Sequence, residues 1–92
     1  MNSVLVVGGG GREHAICVAL AKSPKVDKLY CLPGNAGIAE IAECAPVSAT
    51  DLEGVIAFVK SHPDIGMTVV ALDDTLAMGM VDMLEENGFR AF

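Results

Sequence analysis

A continuous apolar, largely β-branched run, Val4-Leu5-Val6-Val7, passes straight into four consecutive glycines and then into a segment of helical periodicity. No other feature of the chain restricts its fold as much. A run without polar alternation suits a strand covered on both faces, as in the middle of a parallel sheet. Glycines directly after such a strand let the backbone take positive φ and approach a ligand closely. Ala15, Ile16, Ala19 and Leu20 then share one helical face within residues 12–22. Ser23-Pro24 ends that helix, because proline disfavours helical geometry in the residue before it. A second apolar strand is predicted over residues 28–32, closed by Pro33-Gly34-Asn35. Strand, helix and strand in this order make the parallel crossover unit.

The alternation continues. Residues 37–43 read as a short helix and 45–48 as a short strand. Thr50-x-x-Glu53 has the spacing of a capping box, opening a helix whose inner positions are Leu52, Val55, Ile56 and Val59. Ser61-His62-Pro63-Asp64 stops it, with His62 in a structural role, and residues 67–72 form another buried strand. Asp74 or Thr75 is expected to cap a last helix reaching about Asn87, with Gly88 as its left-handed stop. Residues 89–92 begin one more strand. The fold class expected is α/β: an open, mostly parallel Rossmann-like sheet with helices on both faces. At 92 residues, 52% of them apolar, there is core enough for one domain. The chain stops just after a strand begins, so residues 1–92 are expected to be the N-terminal domain of a longer protein.

Composition narrows the function. Six Lys and Arg face twelve Asp and Glu, a net charge of −6, and the cations form no run. A nucleic-acid partner is therefore not expected. Cys17, Cys31 and Cys44 are odd in number and widely spaced, so neither a zinc site nor a disulfide framework is expected; they read as small core residues. Met67, Met78, Met80 and Met83 read as adaptable core filler. No apolar run reaches the roughly 20 residues that span a bilayer. The start lacks the charged flank and cleavage site of a signal peptide, so no membrane partner and a cytoplasmic location are expected.

In open α/β sheets, ligands bind beyond the carboxyl ends of the strands. Residues 8–14, 33–37 and 73–75 lie there in this reading. The helix after the glycines offers free N–H groups and a partial positive charge to an anion. Arg12 in its first turn opposes the helix dipole by roughly 0.3–1 kcal/mol, a cost that a bound phosphate would reverse through charge-assisted hydrogen bonds. The alternative is an Arg12 extended into solvent and balanced by Glu13. A dinucleotide site needs G-x-G-x-x-G, but Gly8 and Gly10 are followed by Glu13 in the third place, and Gly9 and Gly11 by His14. No acidic residue closes the second strand, and the Gly-Lys-Ser/Thr of a P-loop is absent. A small phosphorylated ligand fits better than NAD or ATP.

The block from Gly8 to Ala15, GGGGREHA, resembles the opening motif of phosphoribosylamine–glycine ligases, G-x-G-G-R-E-H-A. Pro33-Gly34-Asn35-Ala36-Gly37 is similar to that family's P-G-N-x-G. A third segment, Val70-Ala71-Leu72-Asp73-Asp74-Thr75-Leu76 with Gly79 and Val81-Asp82, resembles V-G-P-[ED]-x-P-L…G-x-V-D. There Ala71, Leu72 and Thr75 replace a glycine and two prolines. The resemblance runs in order over essentially the whole chain. It implies the pre-ATP-grasp domain of a purine-biosynthesis ligase that joins glycine to 5-phosphoribosylamine, forming glycinamide ribonucleotide. ATP and Mg²⁺ would be held mainly by ATP-grasp lobes beyond Phe92.

On that resemblance Gly9, Gly10, Gly11, Arg12, Glu13 and His14, with Pro33, Gly34, Asn35, Ala36 and Gly37, surround the phosphoribosyl group, and Asp73 supplies a carboxylate. No nucleophile, proton-transfer group or metal ligand is implied, and this domain alone is expected to be inactive. By chemistry alone His14 reads as a packed or solvent-facing histidine, Asn35 as a turn residue, and Asp73 and Asp74 as turn and cap residues. Two other readings are another purine-pathway ATP-grasp ligase and a non-catalytic nucleotide- or dinucleotide-binding module.

Overall fold

The computed structural model describes residues 2–8, 11–72 and 74–92. β1, Ser3–Gly8, is buried at every position, and its neighbours explain why the sequence alternation vanishes there. β2, Leu29–Pro33, pairs with it in parallel on one side, Val4 opposite Leu29 and Val7 opposite Leu32. β4, Ile65–Val70, pairs in parallel on the other side, Leu5 opposite Thr68 and Val7 opposite Val70. With β3, Glu43–Cys44, parallel to β2, the sheet order is β3-β2-β1-β4. Of the strand expected over residues 89–92, the structure shows a single parallel bridge, Ala91 to Thr68, outside β4.

Helices cover both faces, as the expected fold class requires. Val4, Val6, Leu29 and Cys31 pack beneath α1, Gly11–Ala21, through its buried Cys17, with Ile16 and Leu20 alongside. Leu5, Val7, Tyr30, Leu32 and Val70 face α2, Leu52–Ser61, and α3, Asp74–Glu86, meeting Val55, Ile56, Val59, Met80 and Leu84. The inner face of α1 differs from the expectation. Ala15 and Ala19 are exposed, while Ile16, Cys17 and Leu20 turn inward. Rotating the helix that way buries more apolar area than burying two methyl groups would.

Five boundaries also differ. The helix expected over 37–43 contracts to a 3₁₀ turn, Ile38–Glu40, anchored by the fully buried Ile38. β3 precedes residues 45–48, where Pro46 has no N–H for a ladder and the Val47 N–H turns back to Ala45 O at 2.8 Å. The cap of α2 is Asp51, whose carboxylate accepts the Gly54 N–H at 3.0 Å, whereas the Thr50 hydroxyl pairs with that of Ser48. β4 begins at Ile65 and ends before Ala71. α3 begins at Asp74, so Asp74 and Thr75, the two expected caps, both lie within its first turn. Gly88 does stop α3: its φ is +84°, its N–H reaches Glu85 O at 3.0 Å and the Phe89 N–H reaches Leu84 O at 2.9 Å. Those two bonds close the helix as a Schellman motif. Among the described residues, no helix is long and apolar enough to cross a membrane.

Candidate functional site

The connection through α1 carries the chain from β1 to β2 on one side, and the connection through α2 brings β4 to the other side of β1. Segments leaving the carboxyl ends of β1 and β4 therefore diverge, and a crevice opens between them at the reversal in strand order. Gly8, at the end of β1, and Gly11, at the start of α1, lie at this crevice. Gly9, Gly10, Asp73 and the side chain of Arg12 lie outside the described residues.

At Gly8 the backbone turns with φ +147°. A side chain there would fall on the Glu13 side chain, which folds back over the strand end. Glycine is needed for both reasons: the conformation is one that L-residues avoid, and the space is taken. α1 begins at Gly11. Its first N–H groups have no partner within the helix, and they sit at its positive end. Residues 11–14 thus present an anion-attracting helix start at the mouth of the crevice.

The second segment comes to meet the first. The Gly8 carbonyl accepts the Cys31 thiol at 3.1 Å and, at a longer 3.4 Å, the Gly34 N–H. Gly34 has φ +71°, and a side chain on it would strike Cys44 Sγ. Gly37 leaves room for His14: a Cβ there would lie 3.3 Å from His14 Cε1 and 3.4 Å from Asn35 Oδ1. His14 is thus half-buried against the second segment. Asn35 has a structural task as well, its Oδ1 accepting the Ile38 N–H at 2.9 Å to start the 3₁₀ turn. Pro33, Asn35 and Ala36 are exposed. The structure therefore brings Gly11, Glu13, His14 and residues 33–37 to one end of the sheet.

Three features escaped the sequence reading. Glu13 packs on Gly8. Cys31 holds the Gly8 carbonyl. Cys44 lies under Gly34. Glycines flanking buried thiols were the available signal, but these partners are distant in sequence. Burial pushes the Cys31 thiol up to about 12, helped by the neighbouring Cys17 thiol; Cys31 therefore stays a protonated donor. A groove of about 560 Å³ lies elsewhere, beside the exposed Lys28–Glu43 ion pair (3.1 Å) at the amino ends of β2 and β3. It belongs to the opposite end of the sheet from the crevice. Among the described residues no three His, Cys, Asp or Glu side chains converge to hold a metal ion. No Mg²⁺ ligand is assigned here.

Residues 2–92 match the family model described as phosphoribosylglycinamide synthetase, N domain. A phosphoribosylamine–glycine ligase of Caldanaerobacter subterraneus subsp. tengcongensis is 46% identical over 89 residues, covering 97% of this chain. One from Yersinia pestis is 44% identical over 92 residues, covering 98%. In both cases the match takes in 21% of the relative's length. The trifunctional purine biosynthetic protein adenosine-3 of Drosophila melanogaster is 42% identical over 96 residues, covering 99% of this chain and 7% of its own.

Proposed function

The chain belongs to the phosphoribosylglycinamide synthetase N-domain family, and from that premise we propose that it is the phosphoribosyl-binding domain of a phosphoribosylamine–glycine ligase. It spans about a fifth of the length of the ligases it matches, 21%. The parent enzyme joins the carboxyl group of glycine to the amine of 5-phosphoribosylamine at the expense of ATP, with ATP and Mg²⁺ held mainly by its remaining ATP-grasp lobes. This domain receives the sugar phosphate and holds it in place.

One observation carries the reading. Gly8 and the first turn of α1 meet the Pro33-Gly34-Asn35-Ala36-Gly37 segment at one carboxyl end of the sheet, tied at the Gly8 carbonyl and at the His14–Gly37 contact. A phosphate at the start of α1 takes backbone N–H groups and the helix charge. Arg12 supplies the guanidinium that a phosphate engages through two parallel hydrogen bonds. Gly9 and Gly10 allow the close approach, and Asp73 supplies a carboxylate toward the sugar hydroxyls. With a net charge of −6 on the domain, a dianion is repelled at long range, so these local donors must supply the attraction.

Ribose 5-phosphate titrated into isotope-labelled protein should shift the amides of residues 8–14 and 34–37. The dissociation constant should be on the order of millimolar, because the other lobes are not there to enclose the ligand. Arg12→Ala should weaken binding without lowering the unfolding midpoint. Shifts centred elsewhere, or tighter binding of NAD than of the sugar phosphate, would overturn the assignment.

A further inference from the structure

Beneath the two ligand segments lies a group of three thiols. Cys17 on α1 and Cys31 on β2 are fully buried, and the Cys31 thiol donates to the Gly8 carbonyl. Cys44 on β3 is partly exposed. Cys31 and Cys44 are register partners on adjacent parallel strands, so both side chains lie on the α1 face of the sheet. Neighbouring strands stand about 4.8 Å apart, inside the roughly 4.4–6.8 Å Cα separation that a disulfide bridges. Both side chains border the same spot: a Cβ placed on Gly34 would be 3.3 Å from Cys44 Cβ and 3.6 Å from Cys31 Cβ.

We propose that Cys44 is an oxidisable thiol that peroxide converts into a disulfide with Cys31, and that this crosslink displaces the two segments carrying the candidate site. The thiolate is the reactive form and needs access to the oxidant, which selects Cys44 over its two buried neighbours. In the first step Cys44 Sγ attacks hydrogen peroxide: an S–O bond forms, the O–O bond breaks and hydroxide leaves, giving a sulfenic acid. In the second, Cys31 Sγ attacks the Cys44 sulfur. The S–S bond forms, the S–O bond breaks, and the Cys31 proton leaves with the departing hydroxyl as water. Peroxide is the oxidant consumed, and both sulfurs are oxidised. The burial that keeps Cys31 protonated makes this second step slow, so sustained peroxide is required.

The consequence follows from the contacts. A Cys31 sulfur bound to Cys44 has no hydrogen to donate to the Gly8 carbonyl, a bond of 3.1 Å in the reduced protein. The Cys44 sulfur must also move from its place under Gly34. Both strand ends are thereby released from contacts that hold them together. Neither the crosslink nor the displacement depends on which ligand the segments hold.

Native protein treated with hydrogen peroxide at low concentration should lose two hydrogen masses, and peptide mapping should join Cys31 to Cys44 within one chain. Cys17→Ser should keep the crosslink and Cys44→Ser should abolish it. Cys31→Ser should leave a sulfenic acid at Cys44 that a dimedone probe captures. Amide spectra of the oxidised protein should show the largest shifts at Gly8 and Gly34, reversed by dithiothreitol. An unchanged mass, a crosslink through Cys17 or between chains, or unmoved amides at Gly8 and Gly34 would overturn the proposal.

Discussion

At Asp51 the carboxylate accepts the Gly54 N–H, so alanine there leaves a first-turn donor of α2 without its protein acceptor. Asp51→Ala should lower stability by about 1 kcal/mol, and Thr50→Ala by less than about 0.5 kcal/mol, read as shifts in urea midpoint. Sequence spacing favoured Thr50 because Glu53 follows it by three residues, but α2 begins at Leu52, which puts Asp51 in the cap position. Asp64 offers a second test. Hydrogen bonds from the Ser3 side chain and from Tyr30, the latter at 2.9 Å, hold its carboxyl below its ordinary value of 3.8. A depressed folded-state value contributes stability above the unfolded pKa, and that contribution fades as pH falls through the folded value. Wild type should therefore exceed Asp64→Asn in urea midpoint at pH 7, and the gap should narrow below about pH 4. A gap independent of pH would assign the effect to something other than the charge.

Among the elements, α1, α2, α3, β1, β2 and β4 stand where the apolar pattern puts them, because runs of adjacent apolar residues and helical spacing report burial directly, whereas the helix expected over 37–43 is a 3₁₀ turn and no strand forms over 45–48. The edges were less legible. β3 is two residues long and is fixed by register with Tyr30 and Cys31, which no local pattern announces. The site shows the same division. Its two segments stand out as glycine-bearing blocks, but the bond from Cys31 to Gly8 and the seat of His14 on Gly37 join residues 23 apart in each case. Gly34 tests the link between β3 and the second segment. Gly34→Ala meets the Cys44 sulfur and also a positive φ of 71°, the latter alone costing about 1–2 kcal/mol. Repeating the substitution in Cys44→Ala should recover about 1 kcal/mol of the loss and no more, since the backbone conformation is unchanged. Additive losses would show that the sulfur does not limit the space.

Across the whole molecule, one sheet separates two apolar clusters, and β1 contributes Val4 and Val6 to one and Leu5 and Val7 to the other. Neither cluster can dissolve without uncovering the strand that both share. This predicts a single cooperative unfolding step for the isolated chain, an expectation suited to a domain of this size. Tyr30 is the sole tyrosine, no tryptophan is present, and its ring lies edge-on to Phe58 at 5.6 Å inside the α2–α3 cluster. Tyrosine emission therefore reports one cluster, while far-ultraviolet circular dichroism reports helices from both. The two urea transitions should coincide; an α1 that melts first would separate them. The same domain, mixed with glycine, phosphoribosylamine and Mg·ATP, should release no ADP. The described residues assemble no metal-binding group, and the matched ligases are several times longer, this chain covering 21% of them. On the proposed function, ATP-grasp lobes supplied as a separate chain should give ADP release, dependent on both substrates and weakened by Arg12→Ala. ADP release by the isolated domain would move phosphoryl transfer into residues for which the proposed function gives only the holding of a sugar phosphate.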